Sequence, residues 1–513
     1  GKAIGSSNNL YLAVGDLKGL GSTDNGSSDI LGMSGIAADA LKNSEADLGS
    51  AYTADSSNMN NGYPILTWQK DGKYSTELKE AEGLDIAQIK DATNKGFTVV
   101  MSDLLYYSAL SAGDFTVEAM VNGTKADVIS LRGSYVLTEY NGKVVSAFTF
   151  TFDNMKPEAD IVYSVKYKEN AAKTYSFRSP ATDQWYDYVA DGVPGTGTKD
   201  DPYRISTAEE LSYFARFAPS SKYNGEYVVL TNDIDMGAKY WTPFEFRGNL
   251  DGQNYAIKNL KIDDANGDYF NGGSGLFSSI AMSSSYMGKE VSYISNLRFI
   301  DPDVKGTYSV GILAGTVCNT FVENCSVTGG KVSTNDLNYY AGGLVGSADS
   351  ETDMTTVFRR CSVDLDLYTH GCGGSVVGHV NHGNTSYGSL YIVDCQSSGT
   401  VTSDSAAKNS QVGGILGNVW RLKGVVIENC YSDATLSTTG TCAGGIVGKV
   451  FVSGNSNQYI GPDGITIKNS VALNPSVKTT DPTGKAGRIV ADADDIVGAT
   501  KGYFDQNYGL DTM

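Results

Sequence analysis

The stretch VIENCYSDATLSTTGTCAGGIVGKV, residues 426–450, contains two short patterns that recur along the C-terminal part of the chain. In the first pattern, an apolar residue is followed by a variable residue, then usually by Asn and then by a small apolar residue. It occurs in seven segments that align without gaps: AIKNLKI (256–262), YISNLRF (293–299), FVENCSV (321–327), VFRRCSV (357–363), YIVDCQS (391–397), VIENCYS (426–432) and TIKNSVA (466–472). An apolar position that returns every 28 to 40 residues predicts a solenoid, because each repeat then forms one coil that packs on its neighbours.

The aligned segments define three columns of equivalent residues. The apolar column consists of Ile257, Ile294, Val322, Phe358, Ile392, Ile427 and Ile467. The middle column consists of Asn259, Asn296, Asn324, Arg360, Asp394, Asn429 and Asn469. The last column consists of Leu260, Leu297, Cys325, Cys361, Cys395, Cys430 and Ser470. Asn tolerates the left-handed backbone conformation better than most residues, so the middle column predicts a stacked corner whose side chains hydrogen-bond between coils.

The second pattern is a glycine-rich turn followed by two aliphatic residues. Its copies are GSGLFSS (273–279), VGILAG (310–315), AGGLVG (341–346), GGSVVG (373–378), VGGILG (412–417), AGGIVG (443–448) and the degenerate AGRIVA (486–491). Glycines permit close backbone approach, and the aliphatic pair predicts a short buried strand. Parallel crossovers are nearly always right-handed, so residues 250–491 are expected to form about seven coils of a right-handed parallel β-helix.

The glycine-rich pattern resembles the GLUG motif of bacterial cell-surface, adhesin-like β-helix proteins, and the resemblance covers roughly residues 195–513. GLUG repeats also occur in some bacterial immunoglobulin-A proteases, but the metalloprotease centre of those proteins is missing from this sequence. The segment 195–262 is similar to the opening of such arrays. Thr207 and Glu210 have capping-box spacing, so the domain 206–513 is expected to begin with a helix that covers its open strand edges.

The N-terminal part of the chain differs from the repeat region. Residues 38–69 resemble the segment that closes GLUG arrays in secreted proteins of Gram-positive bacteria, so residues 1–72 are expected to form a terminal cap of an array or a free-standing small cap. Residues 73–180 contain alternating strands and no cysteine, which predicts an Ig-like β-sandwich spacer without a disulfide. Residues 181–205 are expected to be a linker. The fold class is therefore all-β.

The composition excludes several classes of partner. A net charge of −19 without a cluster of Lys and Arg argues against nucleic acid and against anionic membranes. No run of eighteen apolar residues is present, so no membrane insertion is expected in this segment. The sequence shows neither an initial Met nor a signal peptide, so we expect a mature chain or excised segment of a secreted or cell-surface bacterial protein.

All three histidines lie in THGCGGSVVGHVNHG, residues 369–383, together with one cysteine, which raises the question of a metal site at His370, Cys372, His379 and His382. Zinc requires three or four converging ligands, whereas a flat strand splays these side chains. The repeat places His379 in a polar column that is expected to face solvent, with Thr316, Ser347, Asn418 and Lys449. Surface histidines are therefore predicted, with no metal and no cofactor.

The cysteine column raises the question of disulfides. Stacked strands lie about 4.8 Å apart, which overlaps the Cα separation that a disulfide accepts. Leu260 and Leu297 occupy the same column, however, and the total of seven cysteines is odd. Buried free thiols are therefore predicted at Cys325, Cys361, Cys395 and Cys430.

Two groups of acidic residues are candidates for a calcium site and for a catalytic site. In DDANGD (263–268), Asp264, Asn266 and Asp268 alternate as in a calcium loop, but Tyr269 replaces the required glycine and no Glu follows at the twelfth position. Asp233, Asp235 and Asp251 are the best candidates for catalytic carboxylates, and turn or cap chemistry is the simpler interpretation of them.

No motif of a hydrolase, a nucleotide-binding site or a metalloprotease occurs in the sequence. The predicted function is therefore non-catalytic adhesion to host or microbial surface glycans or proteins through a rigid β-helix. The alternatives are a carbohydrate-active enzyme (polysaccharide lyase or glycoside hydrolase) or its binding module on the same fold, and a purely structural stalk. Outward tyrosines that could stack on sugars are Tyr339, Tyr387 and Tyr391.

Overall fold

The structure is a computed structural model. It describes residues 9–12, 33–36, 42, 52–56, 63–66, 84–104, 111–126, 132–151, 156–217, 225–264, 273–280, 291–335, 340–349, 354–380, 388–404, 410–420, 422–451, 460–492 and 502–510. These residues belong to two compact units. One contains the described residues of 1–88, 99–114 and 135–148, and the other those of 89–98, 115–134 and 149–513.

Four short strands precede residue 84. They are β1 (Asn9–Leu12), β2 (Met33–Ile36), β3 (Tyr52–Thr53) and β4 (Ile65–Leu66). β1 pairs with β2 in parallel, and β3 pairs with β4 in antiparallel orientation. The predicted terminal cap at 1–72 stays a prediction, since most of that segment lies outside the described residues.

Two four-stranded sheets follow, with the orders β5-β6-β10-β9 and β12-β11-β7-β8. Their strands are β5 (Ile86–Thr93), β6 (Gly96–Met101), β7 (Phe115–Val121), β8 (Thr124–Ala126), β9 (Arg132–Tyr140), β10 (Lys143–Thr151), β11 (Asp160–Tyr167) and β12 (Lys173–Arg178). Short 3-10 turns lie at Ala112–Asp114 and Trp185–Asp187.

Aromatic side chains join the two sheets. The ring centroids of Phe97 and Tyr163 lie 4.6 Å apart, and Phe150 lies 5.3 Å from Phe115. Buried and exposed residues alternate along β11, as the sequence IVYSVKYK predicts for a strand with one face on a core. The assignment of these strands to an Ig-like domain stays a prediction.

The second half of the chain is built from short strands. In chain order, they begin with β13 (Tyr203–Ile205), β14 (Tyr227–Leu230), β15 (Ile234–Asp235), β16 (Phe244–Phe246), β17 (Asn249–Asp251), β18 (Ala256–Lys258), β19 (Lys261–Asp263), β20 (Phe277–Ile280), β21 (Ser292–Ser295), β22 (Arg298–Ile300), β23 (Asp303–Gly306), β24 (Ser309–Val310), β25 (Ala314–Cys318), β26 (Thr320–Glu323), β27 (Ser326–Thr334), β28 (Tyr340–Gly342), β29 (Val345–Asp349), β30 (Thr355–Arg359) and β31 (Ser362–Thr369). They continue with β32 (Cys372–Gly374), β33 (Val377–Val380), β34 (Ser389–Val393), β35 (Gln396–Ser403), β36 (Gln411–Gly413), β37 (Leu416–Trp420), β38 (Leu422–Glu428), β39 (Tyr431–Ser432), β40 (Thr435–Thr438), β41 (Cys442–Gly444), β42 (Val447–Phe451), β43 (Ile460–Lys468), β44 (Val471–Ala472), β45 (Val477–Thr479), β46 (Lys485–Gly487), β47 (Val490–Asp492), β48 (Gly502–Asp505) and β49 (Tyr508–Gly509).

These strands form four sheets that run along the solenoid. S1 has ten strands in the order β13-β14-β17-β21-β26-β30-β34-β38-β43-β48. S2 follows β15-β18-β22-β27-β31-β35-β39-β44-β49, with β19, β23, β40 and β45 beside this path. S3 is β16-β20-β25-β29-β33-β37-β42-β47, and S4 is β24-β28-β32-β36-β41-β46. Neighbouring strands pair in parallel, which confirms the predicted parallel β-helix.

The predicted corner column is confirmed by the backbone for six of its seven residues, from Asn296 to Asn469, which have φ between 52° and 56°, in the left-handed region. Asn259 is also left-handed, with φ of 56°, but it lies at the next corner of its coil. The Nδ2 of Asn324 donates to Oδ1 of Asn296 at 2.7 Å, and the Nδ2 of Asn429 donates to Oδ1 of Asp394 at 2.9 Å. The column therefore fixes both the turn of each coil and its register on the next.

The first segment, AIKNLKI, lies at a different corner of its coil from the corner that the gapless alignment predicts. Leu250, rather than Ile257, pairs with Ile294, while Ile257 pairs with Phe299 in S2. The corner after β17 is longer, since residues 252–255 separate Asp251 from Ala256. Its left-handed residues are Gln253 and Asn254. A gapless comparison cannot align this longer corner with Asn296, so the sequence match moved to the next corner of the same coil.

The entrance to the solenoid contains helix α1 (Ala208–Phe217). The Oγ1 of Thr207 accepts from the backbone nitrogen of Glu210 at 3.2 Å, and Oε2 of Glu210 accepts from the backbone nitrogen of Thr207 at 3.2 Å, which confirms the capping box. Trp185, in the segment expected to be a linker, is buried, and its Nε1 donates to the oxygen of Met236 at 2.8 Å. One continuous apolar core extends from Trp185 to Val477.

The cysteines are buried and free. All seven belong to the described residues, and none forms a disulfide, which confirms the prediction for Cys325, Cys361, Cys395 and Cys430. Burial raises the pKa of the Cys325 and Cys395 thiols. The Sγ of Cys430 lies 3.4 Å from the oxygen of Ile392, within the stacked interior.

We expect the native protein to react with a thiol reagent at none of its seven cysteines, and the denatured protein to react at all seven. The physical reason is that all seven cysteines are buried, so the reagent does not reach them in the folded chain. Burial also disfavours the reactive thiolate at Cys325 and Cys395. Mass spectrometry after brief labelling measures the count. Rapid labelling of the folded chain, or a mass deficit of two hydrogens for each bridged pair, would contradict this expectation.

Candidate functional site

The outward face of S1 carries a column of aromatic and aliphatic side chains that we call the aromatic stripe. Alternation along each strand directs the Ile294 column inward and its N-terminal neighbours outward. The stripe consists of Tyr227, Asn249, Tyr293, Phe321, Val357, Tyr391, Val426, Thr466 and Tyr503, which follow one another in register. Seven of these nine residues are aromatic or aliphatic, although the face is open to solvent.

Three tyrosines project furthest from the stripe. The exposed fractions are 54% for Tyr293, 39% for Tyr391 and 57% for Tyr503. Each is three strands from the next in the order of S1, which corresponds to about 14 Å at the usual strand spacing. Between Tyr293 and Tyr391, Phe321 packs against Tyr293 with a centroid distance of 5.3 Å. The three most exposed rings of the stripe therefore recur at a constant spacing, while Tyr227, 36% exposed and two strands before Tyr293, lies outside that spacing.

A column that contains both acidic and basic residues runs beside the stripe, two residues further along each strand. It consists of Asp251, Ser295, Glu323, Arg359, Val393, Glu428, Lys468 and Asp505. The Nη2 of Arg359 lies 2.6 Å from Oε1 of Glu323, and the Nζ of Lys468 lies 3.0 Å from Oε1 of Glu428. Partial burial opposes ionisation of Glu323, but hydrogen bonds from Arg360 and Arg359 lower its pKa. The column neutralises much of its own charge.

The three candidate carboxylates make turn and corner contacts. Asp233 pairs with Lys258 at 2.7 Å, and the hydrogen bond from Lys258 lowers the pKa of that carboxyl. The Oδ1 atoms of Asp235 and Asp251 each accept from a corner amide of the next coil at 2.8 Å. The hydrogen bond from Asn259 lowers the pKa of Asp235. The structure does not bring these carboxylates together as an acid and base pair around an open site.

The prediction that His379 faces solvent is wrong. The column itself is confirmed, since Ser347 pairs with His379, and His379 pairs with Asn418. However, His379 is only 1% exposed, because S3 and S4 approach closely enough to enclose the column between them. An added Cβ on Gly378 would lie 2.4 Å from the oxygen of Ala341, which shows how close the two sheets are.

The imidazole of His379 stacks on Tyr340. The two ring centroids lie 3.9 Å apart at an interplanar angle of 13°. Both ring nitrogens are buried, and among the residues that the structure describes neither has a hydrogen-bond partner. Burial lowers the pKa of His379 to about 3, so the residue is neutral in the folded protein.

Of the other members of the proposed metal group, Cys372 lies near this ring, because it pairs with Tyr340 and its Sγ accepts from Nδ2 of Asn418 at 3.6 Å. His370 is half-buried, with Nδ1 2.8 Å from the oxygen of Asp404, and the Cys372 thiol donates to Oε1 of Gln411 at 2.9 Å. His382 lies outside the described residues. Within the part of the chain that the structure describes, no three His, Cys, Asp or Glu side chains are grouped to hold a metal ion.

Two of the candidate groups lie only partly within the residues that the structure describes. In DDANGD, the Oδ2 of Asp264 accepts from the Oγ of Ser274 at 2.9 Å, while Asn266 and Asp268 lie outside the described residues. Of the three outward tyrosines named from the sequence, Tyr391 is exposed, and Tyr339 and Tyr387 lie outside the described residues.

The residues of the stripe occupy one position of the aligned segments, but a binding surface was not predicted from them. The first letters of six aligned segments are Tyr293, Phe321, Val357, Tyr391, Val426 and Thr466. The signal that identifies the stripe is an apolar residue at a position that alternation assigns to the outside.

Comparisons with known proteins give limited likenesses. No protein-family model matches the chain. Over 317 residues, 57% of its length, the chain is 26% identical to halomucin of Haloquadratum walsbyi (strain DSM 16790 / HBSQ001), of which it spans 3%. An IgA1 protease structure shares 14% identity with a TM-score of 0.40, over 77% of this chain and 28% of that one. Among the described residues, no helix is long and apolar enough to cross a membrane.

Proposed function

We propose that the chain is a non-catalytic, extracellular, surface-associated protein that adheres to glycans or proteins of a host or microbial surface. The observation that carries this proposal is the aromatic stripe, a row of exposed ring faces on a rigid parallel sheet. A row of exposed apolar side chains on one face of a folded protein is a candidate interaction site. The sequence likeness to halomucin supports a surface-associated role.

The chemistry of the described residues also favours binding over catalysis. A catalytic site needs an acid, a base or a nucleophile held at productive geometry. The candidate carboxylates instead hydrogen-bond corner amides or pair with lysine. A long wall of repeated contacts suits adhesion, because many weak contacts act together once the first is made.

We expect the full chain to bind a subset of immobilised glycans or protein-coated surfaces without releasing products. Reducing ends and 4,5-unsaturated sugars would be followed on the same samples. Substituting Tyr293, Tyr391 and Tyr503 together by Ser should weaken binding at least about tenfold, because the main ring faces are lost. The matched control replaces Tyr368, Tyr431 and Tyr508, which are exposed on S2, by Ser.

Two results would contradict the proposal. Sustained turnover of a polysaccharide that disappears when a single carboxylate is replaced would identify an enzyme. Equal loss of binding in the S1 and S2 triple variants would show that the stripe is not the contact surface.

A further inference from the structure

We infer that the aromatic stripe binds a single chain of an uncharged linear polysaccharide, extended parallel to the solenoid axis. This inference rests on the proposed function, because it names the ligand class and the surface for a protein proposed to adhere. The ligand is one class of polymer, and preferential binding of a protein partner or of an acidic polysaccharide would contradict it.

The first argument is the periodicity of the stripe. Tyr293, Tyr391 and Tyr503 recur every three strands along S1, at intervals of about 14 Å on a straight parallel sheet. A linear polymer with a regular repeat can place equivalent faces on all three rings at once. The surface of a globular protein has no such repeat, so it would meet the three rings with unrelated groups.

The second argument is charge. The column beside the stripe pairs internally, with Glu323 held by Arg359 and Arg360, and Glu428 held by Lys468. These pairs neutralise two of the four carboxylates in the column, and the other two, Asp251 and Asp505, repel a polyanion. The net charge of the whole chain is −19, which repels polyanions at longer range. Charge complementarity therefore favours an uncharged polar ligand.

The third argument is the mixture of groups. Sugar rings present apolar C–H faces and a rim of hydroxyl groups. Tyr rings offer a large apolar face with one polar end, and they carry little conformational entropy to lose. Thr466 interrupts the stripe with a hydroxyl group, and the hydroxyl group of Ser295 lies one column away. The surface thus offers both kinds of contact along one line.

The fourth argument is preorganisation. The strands that carry Tyr293 and Tyr391 are each paired with a strand on both sides. Beneath the stripe, Ile294, Phe358 and Ile392 are fully buried in the continuous core. The backbone positions that carry the rings are fixed before binding, so little backbone ordering cost opposes a ligand whose individual contacts are weak.

The test uses the full chain and uncharged oligosaccharides of increasing length, such as cello-, xylo- and manno-oligosaccharides, with polygalacturonate and a protein-coated surface beside them. Isothermal titration measures affinity at low and high NaCl. We expect affinity to rise when the ligand becomes long enough to join two tyrosines at about 14 Å, and again at about 29 Å for three. The affinity should change less than about twofold with salt, since no ion pair forms.

The matched variants are Tyr391→Ser, at the centre of the stripe, and Tyr431→Ser, on S2, whose exposed fractions are 39% and 38%. We expect Tyr391→Ser to weaken binding about tenfold for ligands that span it, and Tyr431→Ser to leave binding unchanged. Circular dichroism and a thermal midpoint would show that both variants fold.

The outcomes separate the inference from the proposed function. Binding to the protein-coated surface alone, lost in Tyr391→Ser, overturns the polysaccharide but retains adhesion through the stripe. Tighter, salt-sensitive binding to polygalacturonate overturns the uncharged ligand. Affinity that is independent of length, or equal effects of the two variants, overturns the axial placement. Absence of binding to every surface overturns both proposals.

Discussion

Lowering the pH from about 7.5 to about 4.5 should destabilise the wild-type chain by up to about 2.7 kcal/mol relative to a His379→Phe variant. The pKa of His379 is lowered by burial from 6.5 to about 3, so the folded state keeps the imidazole neutral while the unfolded chain binds a proton. This contribution is complete above pH 6.5 and is lost as the pH falls toward 3. Phe keeps an aromatic ring against Tyr340 and does not titrate.

The measurement is the difference between the two proteins in free energy of unfolding by denaturant, followed across the pH range. Carboxylates titrate in both proteins and cancel in this difference. Thr316→Val is the matched control, since Thr316 lies in the same buried column and the substitution changes no titratable group, so this variant should retain the wild-type pH slope. If the wild type and His379→Phe lose stability in parallel, the buried neutral imidazole is not the cause.

The features that could be predicted from the sequence are those that the residue type at a given position determines directly. The left-handed corners follow from Asn296, Asn324 and Asn429, because few other residues accept that conformation at low cost. The capping box follows from Thr207 and Glu210, whose spacing is local. The parallel stacking follows from the repetition itself, since each coil can bury its apolar column only on another copy.

The features that could not be predicted depend on distances between sheets. Alternation showed that His379 shares a column with Asn418, but a polar column is not necessarily outside. The distance between S3 and S4 decides that burial, and it depends on glycines whose role is visible only in three dimensions. The stripe was not predicted because its members vary from Tyr293 and Phe321 to Val357 and Thr466, so this outward position shows no constant residue type in the aligned segments.

Glycine in the turn between S4 and S3 is required by space rather than by backbone conformation. Gly342, Gly374, Gly413, Gly444 and Gly487 pair in succession along S4. At Gly413, an added Cβ would lie 2.0 Å from the oxygen of Leu416 and 2.7 Å from the nitrogen of Gly448. Both atoms belong to the backbone, so no side-chain rotation can relieve the contact.

Gly413→Ala should therefore destabilise the chain by about 3 kcal/mol or more, since overpacking here displaces two strands of the solenoid instead of one side chain. Denaturant unfolding measures the loss, and hydrogen exchange at Ile415, Leu416 and Val447 should show that it is centred on these coils. The matched control is Gly192→Ala, where an added Cβ has no atom within 4 Å and only the entropy of the unfolded chain changes. That variant should be neutral or slightly more stable. Similar stability of the two variants would mean that S3 and S4 separate at little cost, and the enclosure of His379 between them would then lose its explanation.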